Sequence, residues 1–281
     1  MVSDNIIKKN SSLSPDVAKL SAIAGSIRLQ WSVLNQMNID ASSVRIRSKL
    51  FQRYFTESQS QIPVYVKIYT YRKHPLHRFC RRGRSRIETR NLLFFKNIGI
   101  PVPRVIGWGE RRIWWGKLEE EFIITETIAD AQPLDVFVEI ACPDRSRPLY
   151  AERRDKIIDQ VACWTRKLHA HHFFHKDLYW RNILARLTNE EIELFWIDCP
   201  TGGFYPLPIG YRHRQLKDCA TLDNLARVLC TREERKRFVA SYLGCAADDP
   251  NVLKFGQALT RYRRRRFDSR HGVKESMPVN F

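Results

Sequence analysis

HKDLYWRN, running from His175 to Asn182, is the stretch on which the reading of this chain turns. It sets Asp177 five positions ahead of Asn182, directly after a long amphipathic segment. Sixteen positions beyond Asn182, Asp198 closes the apolar run ELFWID. An Asp, an Asn at plus five and an Asp at the end of a following strand form a phosphoryl-transfer constellation. The first Asp accepts a hydroxyl proton, and the Asn and second Asp hold magnesium on nucleotide phosphates. Amide and carboxylate oxygens are the ligands a hard cation takes. H-x-D alone is common; the triple at this spacing is not.

Working outward, NILARL (182–187), the turn TNEE and IELFWID (192–198) read as a hairpin, with Asn182 at one end and Asp198 at the other. Residues 150–171 predict the preceding helix, with Ile157, Ile158, Val161, Trp164 and Leu168 along one stripe. Residues 215–230 predict a helix that starts close to Asp218. There the Asp either accepts backbone N–H groups of the 175–182 loop or caps its own helix. His169, His171, His172 and His175 crowd together without H-E-x-x-H spacing or further ligands, which argues against a metal centre and for packing roles.

Upstream, PVYVKIYTY (63–71) alternates as a strand and carries Lys67 between Val66 and Ile68. A lysine there either faces water from an edge or meets a buried carboxylate. RSRIETRNLLFFKNIGI (84–100) predicts the next helix, closed by Gly99, with Glu88 in its first turns. A Lys67–Glu88 pair, with the ammonium on nucleotide phosphates, completes the same chemistry; the plain alternative pairs Glu88 with Arg84. EFIITETI (121–128) predicts a strand that breaks at 129–133, where a two-lobed fold crosses between lobes. The backbone of Glu126 and Ile128 then faces adenine.

Composition bounds the rest. The 281 residues carry 48 Lys and Arg against 30 Asp and Glu, a formal charge of +18, which suits an anionic partner. The basic stretches 71–86 and 261–270 fit either a solvated face or an anionic membrane surface, and no nucleic-acid-reading motif accompanies them. Seven cysteines without C-x-x-C spacing argue for a reduced compartment and against a disulfide framework or zinc ribbon. No secretory leader or spanning run is read.

Taken together, HKDLYWRNIL, the segment from Glu88 through GIPVPRVIGWG, the strand VKIY and the tripeptide WID resemble the lipopolysaccharide kinase family, the kinases of heptose or Kdo in the inner core. The resemblance spans about residues 43–230. It implies an α+β, two-lobed, protein-kinase-like fold. The N-lobe is a small antiparallel sheet with one helix, the C-lobe larger and mainly helical. The corresponding division is an extension over 1–40, an N-lobe over 41–128 and a C-lobe over 129–281. The resemblance further implies ATP with Mg2+ and a lipid-linked or core-oligosaccharide sugar acceptor, at the cytoplasmic face of the inner membrane. Asp177 is then catalytic, Lys67 and Glu88 hold the nucleotide, and Asn182 and Asp198 hold the metal. No protein partner is expected. Departures from the wider kinase pattern are the missing glycine loop before Lys67, Cys199-Pro200 after Asp198, Lys176 for Arg, and no A-P-E segment between Asp198 and Asp218. The short span favours a small or glycolipid substrate over a protein. A soluble-molecule phosphotransferase and a catalytically silent kinase-like binding module are the rival readings.

Overall fold

Alternation in SQIPVYVKIYT makes the central strand of a four-stranded antiparallel sheet. The computed structural model of the chain describes residues 17–39, 48–71, 82–113 and 116–268. The first sixteen residues and most of the basic stretch 71–86 lie outside these residues, as does everything after 268. The described chain forms two compact units. A sheet unit holds residues 15–129 and 195–201, and a helical unit holds 130–194 and 202 onward.

In the sheet unit, β1 (Ser48–Glu57), β2 (Ser60–Thr70), β3 (Val105–Ile113) and β4 (Lys117–Glu126) run in the order β1-β2-β4-β3. Val64, Val66 and Ile68 of β2 are fully buried on one face. Phe122 and Ile124 of β4 join them, together with Val33, Leu34, Met37 and Ile39 from the N-terminal segment. Burying each such side chain is worth about 1.5–3 kcal/mol. Residues 29–39 therefore belong to this core, by way of the short α2 (Val33–Gln36), while the preceding α1 (Val17–Ser26) buries Leu20 and Ala24 outside that cluster. Two glycines of β3 make room for them. A methyl group on Gly107 would lie 2.5 Å from the Leu29 side chain, and one on Gly109 would lie 2.9 Å from the Leu29 carbonyl. Leu29 N–H donates to the Trp108 carbonyl at 2.7 Å, and the Trp108 indole N–H donates to the Ala24 carbonyl at 2.5 Å.

The opposite face of β2 carries Lys67 and Tyr69 and is served by α3 (Arg84–Asn97). This helix begins at Gly83, which has no side chain to cap it. Glu121 of β4 does so instead, accepting from Arg84 N–H at 2.7 Å and from Ser85 N–H and Oγ at 2.9 and 2.7 Å. A carboxylate at the positive end of a helix both satisfies orphan donors and meets the dipole. Gly99, with φ 73°, ends the segment in the left-handed region where glycine costs least.

The helical unit contains α4 (Leu134–Ala141), α5 (Pro148–Ala170), the hairpin β5 (Ile183–Thr188) and β6 (Glu191–Trp196), then α6 (Tyr211–Leu229), α7 (Arg232–Leu243) and α8 (Pro250–Arg263). The hairpin turns on Asn189 and Glu190, both at positive φ (49° and 65°), as a two-residue primed turn requires. Its chain passes to the sheet unit at Phe195 and returns at Gly202. A core of Ala162, Cys219, Val239, Tyr242, Val252, Phe255 and Leu259 joins α5 to the last three helices. Thr231 and Glu234 close a capping box at the start of α7. Asp223 meets Arg235 at 2.7 Å and Arg263 at 3.0 Å, all three buried.

Candidate active site

Lys67 is brought to two acidic side chains within the sheet unit. Its Nζ lies 2.6 Å from Asp198 Oδ1 and 3.8 Å from Glu88 Oε1. Glu88 is 4% exposed and accepts from the Tyr69 hydroxyl at 2.6 Å. Burial raises the Glu88 carboxyl to about 7, against the pull of Lys67 and with a further push from Asp198. Burial works to lower the Lys67 ammonium, but Glu88 and Asp198 outweigh it, and Lys67 stays charged with a raised pKa. The edge lysine facing water and the Glu88–Arg84 pair are not what the chain builds. The nearest partner of Lys67 is Asp198, which sequence reasoning had reserved for metal. No local pattern signals that contact, because 131 residues separate the two.

Asp198 is held in an unusual backbone conformation, φ 59°, which a non-glycine residue adopts only when its surroundings over-determine it. Those surroundings are visible. Trp196 N–H donates to the Pro101 carbonyl at 2.9 Å and its ring meets Phe95 edge-on at 5.8 Å. Asn91 of α3 donates to the Cys199 carbonyl at 2.8 Å. Asp198 thus stands at a bend anchored on both sides. The Glu126 N–H is committed to the Arg104 carbonyl at 2.8 Å, and the Glu126 carboxylate binds the Arg104 side chain at 2.7 Å. Ile128, two residues on, is half-buried. Where a glycine loop is missing, β1 and β2 join through the two-residue turn Ser58–Gln59, at φ 47° and 73°.

The helical unit builds the second constellation. The backbone N–H groups of His175 and Lys176 both donate to the Asp218 carboxylate, each at 2.7 Å. Asp218 is fully buried and also faces His169 Nε2 at 3.4 Å, while His169 Nδ1 meets the Tyr242 hydroxyl at 2.8 Å. Burial works to raise the Asp218 pKa. The His169 hydrogen bond and the neighbouring histidines and N–H groups reverse the sign, so it sits below the ordinary carboxylate range. α6 starts at Tyr211, four residues earlier than the sequence suggested, so Asp218 lies inside the helix and braces the loop instead of capping. Lys176 takes φ 69° within that brace.

Asn182 is buried in a one-turn 3₁₀ helix just before β5. Its Nδ2 donates to the Asp177 carbonyl at 2.8 Å, which turns its Oδ1 away, free of any described partner. Asp177 itself is partly exposed. An amide oxygen of this kind is a ligand type that a hard cation takes. Among the described residues no cluster of three or more His, Cys, Asp or Glu side chains forms a metal cage.

The model of the lipopolysaccharide kinase (Kdo/WaaP) family matches residues 55–239. The chain belongs to that family. Its members are kinases, and the matched segment contains Lys67, Glu88, Asp177, Asn182, Asp198 and Asp218. Among curated proteins none matches the chain. Among solved structures it is similar to "WaaP in complex with acyl carrier protein", with 20% identity, 79% of this chain and 88% of that chain covered, and a TM-score of 0.58. This similarity establishes the kinase-like mixed fold with its antiparallel sheet. It also corrects one expectation. A protein partner had been excluded, whereas the related structure is itself a complex with a protein. No helix among the described residues is long and apolar enough to cross a membrane.

Proposed function

We propose that this family member is an ATP-dependent kinase that phosphorylates a sugar hydroxyl, on heptose or Kdo, of the lipopolysaccharide inner core. The observation that carries the reading is the part-buried ammonium of Lys67, held between Asp198 and Glu88 at 2.6 and 3.8 Å. A lysine so fixed neutralises phosphate charge without reorganising. In the other unit, Asp177 follows two residues whose backbone is pinned by Asp218, and in this reading its carboxylate takes the acceptor proton. Asn182 and Asp198 are the magnesium ligands in this assignment. Bound magnesium supplies charge neutralisation at the transferred phosphoryl group. Lys67, kept charged by its two carboxylates, binds the nucleotide phosphates. The carbonyl of Glu126 and the backbone of Ile128 face the adenine edge.

The acceptor class implies a peripheral site of action at the cytoplasmic face of the inner membrane. Leu207 and Ile209, 66% and 77% exposed on the loop before α6, fit contact with a bilayer. The relative's complex further supports acyl carrier protein as a partner of this chain. The direct test is transfer of the terminal ATP phosphate to purified lipopolysaccharide core. The wild-type chain is expected to transfer, and Asp177→Asn to lose at least ~10³-fold in kcat while folding normally. Undiminished transfer by Asp177→Asn ends the assignment. Calorimetry with purified acyl carrier protein tests the partner, and absence of binding removes it.

A further inference from the structure

One group of cations in the helical unit is unused by the mechanism above. Lys176 and Arg214 both stack on Tyr205, with Nζ 4.8 Å and the guanidinium carbon 4.0 Å from the ring centre. Both also lie within reach of its hydroxyl, and together they lower the Tyr205 pKa against the effect of burial. Three residues along α6 from Arg214, Lys217 is half-buried. Burial lowers its pKa first, and Arg266 and Lys176 lower it further. Asp177 is within electrostatic range of Lys217 and adjoins Lys176 in the chain. Among the described residues, no carboxylate comes within ion-pair distance of Lys176, Arg214, Lys217 or Arg266.

Two bland explanations fail to account for this. A solvated basic face keeps its cations apart and fully hydrated, but here two are ordered on one ring and a third is partly desolvated beside them. A structural ion-pair network needs acids, and the nearest, Asp218, spends both oxygens on backbone donors. The arrangement leaves positive charge in mutual repulsion next to the residue read as the acceptor's base. A phosphate or carboxylate placed at the Tyr205 hydroxyl edge relieves that repulsion and meets two charge-assisted donors at once.

We propose that Lys176, Arg214 and Lys217, gathered around Tyr205, form a binding site for an anionic group, phosphate or carboxylate, carried by the acceptor. The site positions the acceptor and is separate from the nucleotide-binding residues. The inference rests on the reading of Asp177 as the acceptor's base.

The test uses steady-state kinetics on the full chain with three acceptors: lipopolysaccharide core, the same core stripped of phosphate, and the same core with its carboxylates reduced. Arg214→Gln and Lys217→Gln are expected to raise KM for intact core about ten-fold each, the loss of one charge-assisted hydrogen bond. Their kcat and their KM for ATP stay within about two-fold of wild type. Arg214→Lys, which keeps the charge, recovers most of the loss. If the variants match wild type only on the phosphate-free core, the anion is a phosphate; if only on the carboxyl-reduced core, it is a carboxylate. Either result supports the site. Unchanged KM for intact core overturns it, as does an equal loss on all three acceptors. Should the wild type transfer to no acceptor, the kinase reading fails, and calorimetry with inorganic phosphate still decides the site. Tighter binding by wild type than by Arg214→Gln supports it, and equal binding overturns it.

Discussion

Replacing Glu88 with Gln separates what this carboxylate does for the fold from what it does for Lys67. The Glu88 carboxyl is almost fully buried, accepts from Tyr69 at 2.6 Å and faces Lys67 at 3.8 Å. Its pKa rises from an ordinary 4.5 to about 7, chiefly through burial. A carboxyl raised in the folded state binds its proton more tightly folded than unfolded. Its stabilising contribution is therefore complete below 4.5 and disappears as pH climbs through 7. That interval is worth about 3 kcal/mol. Gln keeps the shape and the acceptor for Tyr69 but never ionises, and Lys67 retains Asp198 at 2.6 Å. No ammonium is left wholly unpaired, which is what makes breaking a buried pair costly.

Glu88→Gln should therefore lack the decline in unfolding free energy that the wild type shows from about pH 5 to about pH 8, and should be no less stable than wild type at the upper end. Activity should move the other way. Only ionised Glu88 helps to fix Lys67, so wild-type kcat/KM is expected to fall on the acid side with a midpoint near 7. The variant should lose about ten-fold or more at neutral pH and show no limb there. Denaturant titrations and kcat/KM profiles over the same pH range give both readouts. A variant whose stability falls with pH as the wild type's does, or one that keeps the limb near 7, would falsify the assignment of that proton to Glu88.

Asp218→Asn should cost about 2–4 kcal/mol in denaturant titrations, since it weakens two charge-assisted bonds to the loop backbone. Because the Asp218 pKa is depressed, the wild-type contribution is present above the ordinary carboxylate range and lost as pH falls through the lowered value; the difference between the two proteins should shrink on acidification. Gly107→Ala should destabilise the sheet unit by about 1–3 kcal/mol, read as a lowered denaturation midpoint, because the new methyl meets Leu29 at 2.5 Å.

The parts of this molecule that could be read from sequence are those where chemistry demands one side chain at short range. Asp177, Asn182 and Asp198 are spaced by a loop and a hairpin, both local. Lys67 stood out because a charge inside VYVKIY needs a reason. The elements followed from their periods, β2 from alternation and α5 from its apolar stripe. Residues 27–39 were opaque for the opposite reason. A four-residue helix has no measurable period, and its burial depends on residues of β2 and β4 far along the chain. The visible trace was two alternate glycines, Gly107 and Gly109, in a strand that otherwise invites bulky side chains. For Asp218 the sequence leaves bracing and capping open; its position inside α6, with both oxygens on the loop backbone, selects the brace.

The contact between Lys67 and Asp198 shows what remained hidden and why it bears on mechanism. Sequence spacing assigns Asp198 to metal and Glu88 to Lys67, two separate pairs. The structure gives Lys67 both acids, with Asp198 the closer. Of the two, Glu88 is the carboxyl that burial raises to about 7. The acid that tunes the site is accordingly the buried one on α3, while the acid at the left-handed bend holds position. That division follows from burial, 4% exposure at Glu88 against a 35% exposed side chain at Asp198, which no pattern of residue types along the chain encodes.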